Sequence, residues 1–361
     1  MKETNLCITM IVIYIICFLS VYGRAEESRW ELTKRGRIKI MKQKWLVITI
    51  FIFCLCFINQ DLYAKTIPLP WVYSTVYIEN LSTGKTGTGF LVIRQIDKDS
   101  SKVFLVSNKH ILTPKSIEKE EQNKEAKATV LLNKEEKGEV EIKKIEVILR
   151  DKDGKDLWKG HTNPNIDVAC LDFTSFISEN RTVIQGLKIG FISEDRFATK
   201  EILEKYYVSI GDQIIILGYP LNLVEGGHSI PIARGGTISS WPTKPFKNLP
   251  VILIDSTMIR GSSGSPVFLP ELPFTYSTET NISIGVIRQA YLLGIVGQLI
   301  PDWRMILQKT IVYEEPLKVQ EIDVIDTANF GKIYKAETIS ETIDMFGKSR
   351  WIEKDTDKKD K

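Results

Sequence analysis

Between about residues 71 and 303 the chain alternates short apolar runs with clusters of Gly, Pro, Asn and Asp. The runs are Trp71–Ile78, Gly89–Ile93, Lys102–Ser107, Ala128–Leu132, Val140–Leu149, Val168–Phe173, Gln213–Gly218, Val251–Ile254 and Leu292–Val296. They are rich in Val, Ile, Leu, Tyr and Phe, and bounded turns around such runs predict strands. No long stretch keeps a helical period. Many short strands without intervening helices predict an all-β barrel or sandwich rather than a parallel α/β sheet. The Lys/Glu cluster at 113–127 predicts a solvated loop or short exposed helix. Residues 154–166, with Gly154, Gly160 and Pro164, predict a loop leading into a strand. From about Ile311 the composition turns polar and charged, ending in Asp357-Lys358-Lys359-Asp360-Lys361. That predicts a short polar C-terminal extension over 311–361, partly disordered. For 311–350 an edge strand and a short helix are both open.

The first 64 residues carry a different pattern. Two apolar runs stand there, Leu6–Tyr22 and Trp45–Ile58. The second follows the basic Met41-Lys42-Gln43-Lys44 and leads to Asn59-Gln60-Asp61-Leu62-Tyr63-Ala64. A basic start, an apolar stretch of 14 residues and a polar stretch closing on a small residue predict a secretory signal over 41–64. Leu6–Tyr22 is a second signal or a membrane span on the short side. Between the runs, residues 23–44 hold eight Lys/Arg against three Glu. With both runs in the membrane, that linker favours the cytoplasm and puts the downstream domain outside. Translation from Met41 is the simpler account. Either route exports the domain to the periplasm or the extracellular space, with membrane contact only through uncleaved N-terminal runs.

Composition changes this picture little. The chain has 361 residues, is 43% apolar and 26% charged, and carries a formal charge of +3. A near-neutral chain without Lys/Arg interleaved with stacking aromatics gives no support to nucleic-acid binding. Of five cysteines, Cys7, Cys17, Cys54 and Cys56 lie in the apolar runs. A chain cut after Ala64 retains only Cys170, which precludes an internal disulfide. With three histidines and no ligand-spaced cluster, neither a metal nor another cofactor is expected.

The chemistry concentrates in Gly261-Ser262-Ser263-Gly264-Ser265-Pro266, after the apolar run Val251–Ile254. A serine hydroxyl becomes a useful nucleophile only where a base can reach it. Flanking glycines permit the tight turn that exposes it. The same turn directs the N–H groups of Gly261 and Ser263 to one point, as an oxyanion hole requires. A Gly/Ser turn before a strand is the bland alternative. Among the histidines, His110 ends the apolar run Lys102–Ser107, held by a strand and open to a cleft. His161 and His228 lie in Gly/Asn-rich loops and are expected to be solvated. Asp167 stands at the mouth of the run Val168–Phe173, where a carboxylate is either a strand cap or the partner of a histidine. The order His110, Asp167, Ser263 sets the chain apart from α/β-hydrolases, in which the serine comes first.

With these motifs in place, the chain resembles the bacterial trypsin-like peptidases, near their DegP/HtrA-type and glutamyl-endopeptidase branches. Thr86-Gly87-Thr88-Gly89-Phe90 resembles the glycine-rich strand before the catalytic histidine, and Val106-Ser107-Asn108-Lys109-His110 the histidine motif. His161 to Ala169 resembles the approach to the catalytic aspartate, and Arg234-Gly235-Gly236-Thr237-Ile238 an early strand of the second barrel. Asp255 stands eight residues before Ser263, as in the DegP-type pattern. The likeness covers about 70–300. It implies a chymotrypsin-like double β-barrel within 65–310, the first barrel at about 70–180 and the second at about 200–305. It also implies a serine endopeptidase acting on peptide or protein substrates, with His110, Asp167 and Ser263 as triad and Gly261 and Ser263 as oxyanion donors. The strand around Gly294, Ile295 and Val296 would pair with the substrate backbone. Thr257 would lie at the base of the P1 pocket; being neutral, it argues against Lys or Arg there. No histidine follows Ser263, which argues against glutamate, so the expectation is a neutral, small-to-medium apolar P1 side chain. A weakly catalytic binding or scaffold protein on the same fold is the rival.

Overall fold

The computed structural model describes residues 67–116, 125–136, 139–180, 184–224, 229–272, 288–299, 307–314, 318–325 and 330–347. The signal and apolar segments of 1–64, most of the Lys/Glu cluster, His228 and the final charged residues lie outside these. None of the described helices is long and apolar enough to cross a membrane.

Nearly every predicted run is a strand. The first sheet is built from β1 (Thr75–Asn80), β2 (Lys85–Gln95), β3 (Ser101–Ser107), β4 (Ala126–Glu136), β5 (Glu139–Arg150), β6 (Trp158–Gly160) and β7 (Ala169–Asp172). Its order is β5-β4-β1-β2-β3-β7-β6, and it stays open, with β8 (Leu187–Lys188) on β4 and β9 (Ile192–Ser193) on β2. The second unit is a closed barrel of six strands, β10-β11-β12-β17-β14-β13. These are β10 (Gln213–Gly218), β11 (Ile232–Ile238), β12 (Val251–Asp255), β13 (Pro266–Leu269), β14 (Tyr291–Leu299) and β17 (Phe330–Lys335). The hairpin of β15 (Leu307–Glu314) and β16 (Lys318–Ile325) forms a separate two-stranded sheet. The architecture is the all-β chymotrypsin-like one, with the second barrel closed and the first incomplete.

Alternation along the strands sorts side chains between cores. On β2 and β3, Leu91 and Leu105 point into the core of the first sheet, whereas Phe90, Val92, Phe104 and Val106 join a core between the two units. Both faces of these strands are therefore buried, which is why they read as continuous apolar runs. The second barrel encloses its own core, including Ile214, Ile252, Val267 and Leu293.

Two expectations need correction. The run Trp71–Ile78 is not one strand: helix α1 (Leu69–Ser74) precedes β1. Pro70 in its first turn sacrifices no hydrogen bond there, and Trp71 stacks on Phe268 of β13 at 5.1 Å. The second barrel also does not end near residue 305. Its sixth strand is β17, paired with β12 from Val251↔Tyr334 to Asp255↔Phe330 and with β14 at Ile295↔Tyr334. Short helices α2 (Lys109–Leu112), α3 (Thr174–Glu179) and α4 (Lys200–Lys205) lie in connections, and α5 (Ala336–Asp344) follows β17. Ala336, Ile339 and Ile343 recur at helical spacing and bury one face of α5 in the core between the units. The surrounding polar residues hide this short pattern in the sequence.

Candidate active site

Strand β3 ends at Ser107, and the single turn α2 carries His110 beside β7 and the loop before it. His110 Nδ1 lies 2.6 Å from Asp167 Oδ2, and the His110 backbone N–H donates to Asp167 Oδ1 at 3.2 Å. Asn108 Nδ2 donates to the Asp167 carbonyl at 2.6 Å, locking the two segments together. Burial works against ionisation of Asp167. The hydrogen bond and charge of His110, with the N–H groups of His110 and Lys109, outweigh it and hold the carboxyl below its usual range. The His110 side chain is 36% exposed and that of Asp167 23%, so the ring keeps an open face while its partner is shielded. Lys109 lays its stem over Gly160 and donates from Nζ to the Asn163 carbonyl at 3.0 Å. A Cβ at Gly160 would stand 2.9 Å from Lys109 Cε, so the glycine makes room for the lysine.

The loop before Asp167 is held from outside the site. His161, expected to be solvated, is 9% exposed. Its Nδ1 accepts from the Asn163 N–H at 3.0 Å, and its Nε2 lies 2.6 Å from Glu341 Oε2 on α5. Tyr334 Oη of β17 donates to the Asn165 carbonyl at 3.1 Å. The C-terminal segment thus fixes the loop that presents Asp167. No local pattern around His161 announces a partner 180 residues away.

Ser263 stands in the turn between β12 and β13. Gly261 and Gly264 adopt φ of 91° and 82°, a region that favours glycine. A Cβ on Gly261 would meet the Tyr219 carbonyl oxygen at 2.3 Å, and one on Gly264 the Thr88 carbonyl oxygen at 2.0 Å, so both must be glycine. The N–H groups of Gly261 and Ser263 donate to no acceptor among the described residues.

The His110 and Ser263 segments meet over β2. Thr88 N–H donates to the Ser263 carbonyl at 2.9 Å, and Thr88 Oγ1 donates to the Gly261 carbonyl at 3.0 Å while accepting from Tyr219 N–H at 3.1 Å. A Cβ on Gly87 would stand 3.0 Å from Ile111 Cδ1 and 3.1 Å from the Ser263 carbonyl oxygen. The residue after His110 and the Ser263 backbone therefore close on the same glycine. No hydrogen bond joins Ser263 Oγ to His110, a contact that in free enzymes often forms only around a substrate. Among the described residues no cluster of His, Cys, Asp and Glu is placed to hold a metal. Cys170 is buried and free, and burial pushes its thiol pKa up.

The expected substrate strand needs correction. Gly294 and Ile295 are paired with β13 on one side and β17 on the other. Val296 N–H donates to the Ser265 carbonyl at 2.9 Å, and the Val296 carbonyl accepts from Gly264 N–H at 3.1 Å. These three residues are buried strand interior, with no backbone edge to offer. Pairing with β13 stops at Pro266↔Ile295, whereas β14 runs on to Leu299. Among the described residues, its unpaired edge beside the Ser263 turn therefore begins at Gly297. Thr257 is exposed in the segment between β12 and the turn, and its carbonyl accepts a hydrogen bond from Arg234 Nη1.

The fold is that of the trypsin-like peptidases. The family described as a trypsin-like peptidase domain matches residues 87–271, more than half of the chain, and the chain belongs to it. No curated protein matches the chain. Among solved structures it is similar to an inactive form of the Rv3671c protease, at 16% identity over 79% of this chain and 98% of that one, TM-score 0.36. It is also similar to Deg5, at 16% identity over 66% and 84%, TM-score 0.35. A structure titled HBP matches at 9% identity over 78% and 94%, TM-score 0.37. Membership rests on the domain match, and it makes the protein a peptidase acting on peptides or proteins.

Proposed function

We propose that the protein is a serine endopeptidase that cleaves peptide bonds through an acyl-enzyme. The observation that carries this reading is the meeting of the His110–Asp167 pair and the Ser263 turn over Gly87 and Thr88. Ser263 Oγ attacks the scissile carbonyl carbon while His110 Nε2 takes its proton, Nδ1 being committed to Asp167. Asp167 stays ionised, fixes the ring and stabilises its positive form. The unengaged N–H groups of Gly261 and Ser263 receive the oxyanion. As the C–N bond breaks, the leaving amine takes the proton from His110. Water then attacks the ester, with His110 again as base, and the acid product departs. The substrate backbone adds to the edge of β14 at 297–299. The basic and apolar pattern of 41–64 supports export of the domain.

Labelling the full chain with a fluorophosphonate tests the nucleophile. Labelling is expected to be stoichiometric in the wild type and absent in Ser263→Ala. Peptide hydrolysis should fall by on the order of 10⁴-fold or more in His110→Ala. If wild type and Ser263→Ala label alike, the reading fails and a binding protein on the peptidase fold takes its place.

A further inference from the structure

A second charged group stands next to the Ser263 turn. Arg234, on β11 opposite Ile216, crosses to the loop between β12 and the turn. Its Nη1 donates to the Thr257 carbonyl, and its Nη2 donates to Ser262 Oγ at 2.8 Å. Beside it Ser256 Oγ donates to the Gly235 carbonyl at 3.0 Å, tying the same loop to β11. Arg234 is half-buried, and burial pulls its pKa below the ordinary guanidinium value. Nothing among the described residues neutralises it: Arg234 forms no ion pair with any described carboxylate. Both of its partners are neutral oxygens.

Retaining a half-buried cation without an acid is costly, and proteins pair such charges as a rule. A guanidinium has five N–H donors in a fixed fork that matches a carboxylate. Two are used here. The other arginine of this region, Arg260, is exposed and likewise has no ion pair among the described residues. Lys109, next to His110 in the chain, adds a third positive charge, while the Asp167 carboxylate is already committed to His110. Asp255, exposed at the end of β12, is the described carboxylate nearest in the chain to this loop, and it forms no ion pair with Arg234.

Geometry limits where the missing anion would come from. A substrate's P1 side chain branches from the carbon next to the carbonyl that Ser263 attacks. It must lie beside the residues that run into Ser263, and Arg234 is bonded to two of them, Thr257 and Ser262. Building on the serine-peptidase reading, we infer that Arg234 selects substrates with an acidic P1 side chain, Glu or Asp, by receiving its carboxylate. This replaces the neutral P1 expectation, which was drawn from Thr257 and from the lack of a histidine after Ser263. The cation that decides the pocket arrives from another strand, 23 residues upstream.

The test uses the full chain and peptides identical except at P1, carrying Glu, Asp, Gln, Leu or Lys. The wild-type kcat/KM ratio of Glu or Asp over Gln is expected to be about 10-fold to 100-fold, the range of a charge-assisted hydrogen bond, with Lys poorest. Arg234→Gln should bring that ratio close to one, and Arg234→Lys should leave it intermediate. A wild-type ratio at or below one overturns the inference, even if both variants misfold. So does an Arg234→Gln enzyme that is slower on every peptide with the ratio intact, which would make Arg234 a brace for the turn. With Ser263 labelled by fluorophosphonate but no acidic preference, only this inference falls. With neither labelling nor cleavage, the peptidase reading falls with it.

Discussion

His110 and Asp167 are held by two contacts at once, ring to carboxylate and backbone N–H to carboxylate. The second contact means that removing the negative charge also loosens α2. Asp167→Asn should therefore lower kcat by on the order of 10⁴-fold, measured under saturating peptide. Its effect on stability has a defined pH window. A carboxyl whose pKa is lowered on folding contributes stability that is complete above its unfolded value, near 4, and lost as pH falls through the lowered folded value. Urea titrations of wild type and Asp167→Asn should differ at about pH 5 and above and converge only below about pH 4. A gap that closes as pH falls from about 7 to 5 would assign it to another group. At this scale the sequence is informative where chemistry is local. Ser263 was legible because glycines stand within two residues on either side of it, whereas Arg234 reaches the loop after β12 and His161 reaches a helix 180 residues away.

At the scale of elements, close backbone approach fixes the glycines of the turn around Ser263. Gly264 lies against the carbonyl of Thr88, so Gly264→Ala combines left-handed backbone strain with a clash. Gly211 has a comparable φ of 91°, but a methyl group there would meet nothing within 4 Å, so Gly211→Ala carries the strain alone. Chemical denaturation should show Gly264→Ala as the more damaging change, by on the order of 1–3 kcal/mol. Equal costs would mean that the turn moves away from β2 without penalty. The strands themselves were readable because burial on both faces makes β2 and β3 unbroken apolar runs. The saturation of Gly294–Val296 was not, because an interior strand and an edge strand of the same composition look alike until their neighbours are known.

Across the whole molecule, the C-terminal segment ties the two units together. Arg94 of β2, 1% exposed, donates from Nε and Nη2 to Glu194 at 2.5 and 2.6 Å, from Nη1 to Asp344, and from Nη2 to the Ser340 carbonyl at 3.1 Å. The guanidinium thus joins the first sheet, the connection between the units and α5. Removing it leaves Glu194 shielded without a counter-charge. Arg94→Ala is expected to destabilise the protein by about 3–5 kcal/mol in urea denaturation. A loss below about 1 kcal/mol would show that the network is dispensable. Because α5 also holds His161, the same variant should slow peptide cleavage by displacing the loop of Asp167.

The sequence by itself determined the strand content, the His110–Asp167–Ser263 order and the glycine turn, since each depends on periodicity or on neighbours within a few residues. Tertiary structure decided that β17 closes the second barrel, that the unpaired edge of β14 among the described residues starts at Gly297, and that Glu341 braces the Asp167 loop. It also decided that Arg234 stands over the Ser263 turn. These are pairings between segments far apart in the chain, and the energy that selects them comes from burial and charge in the assembled fold, which leaves no local imprint on residue order.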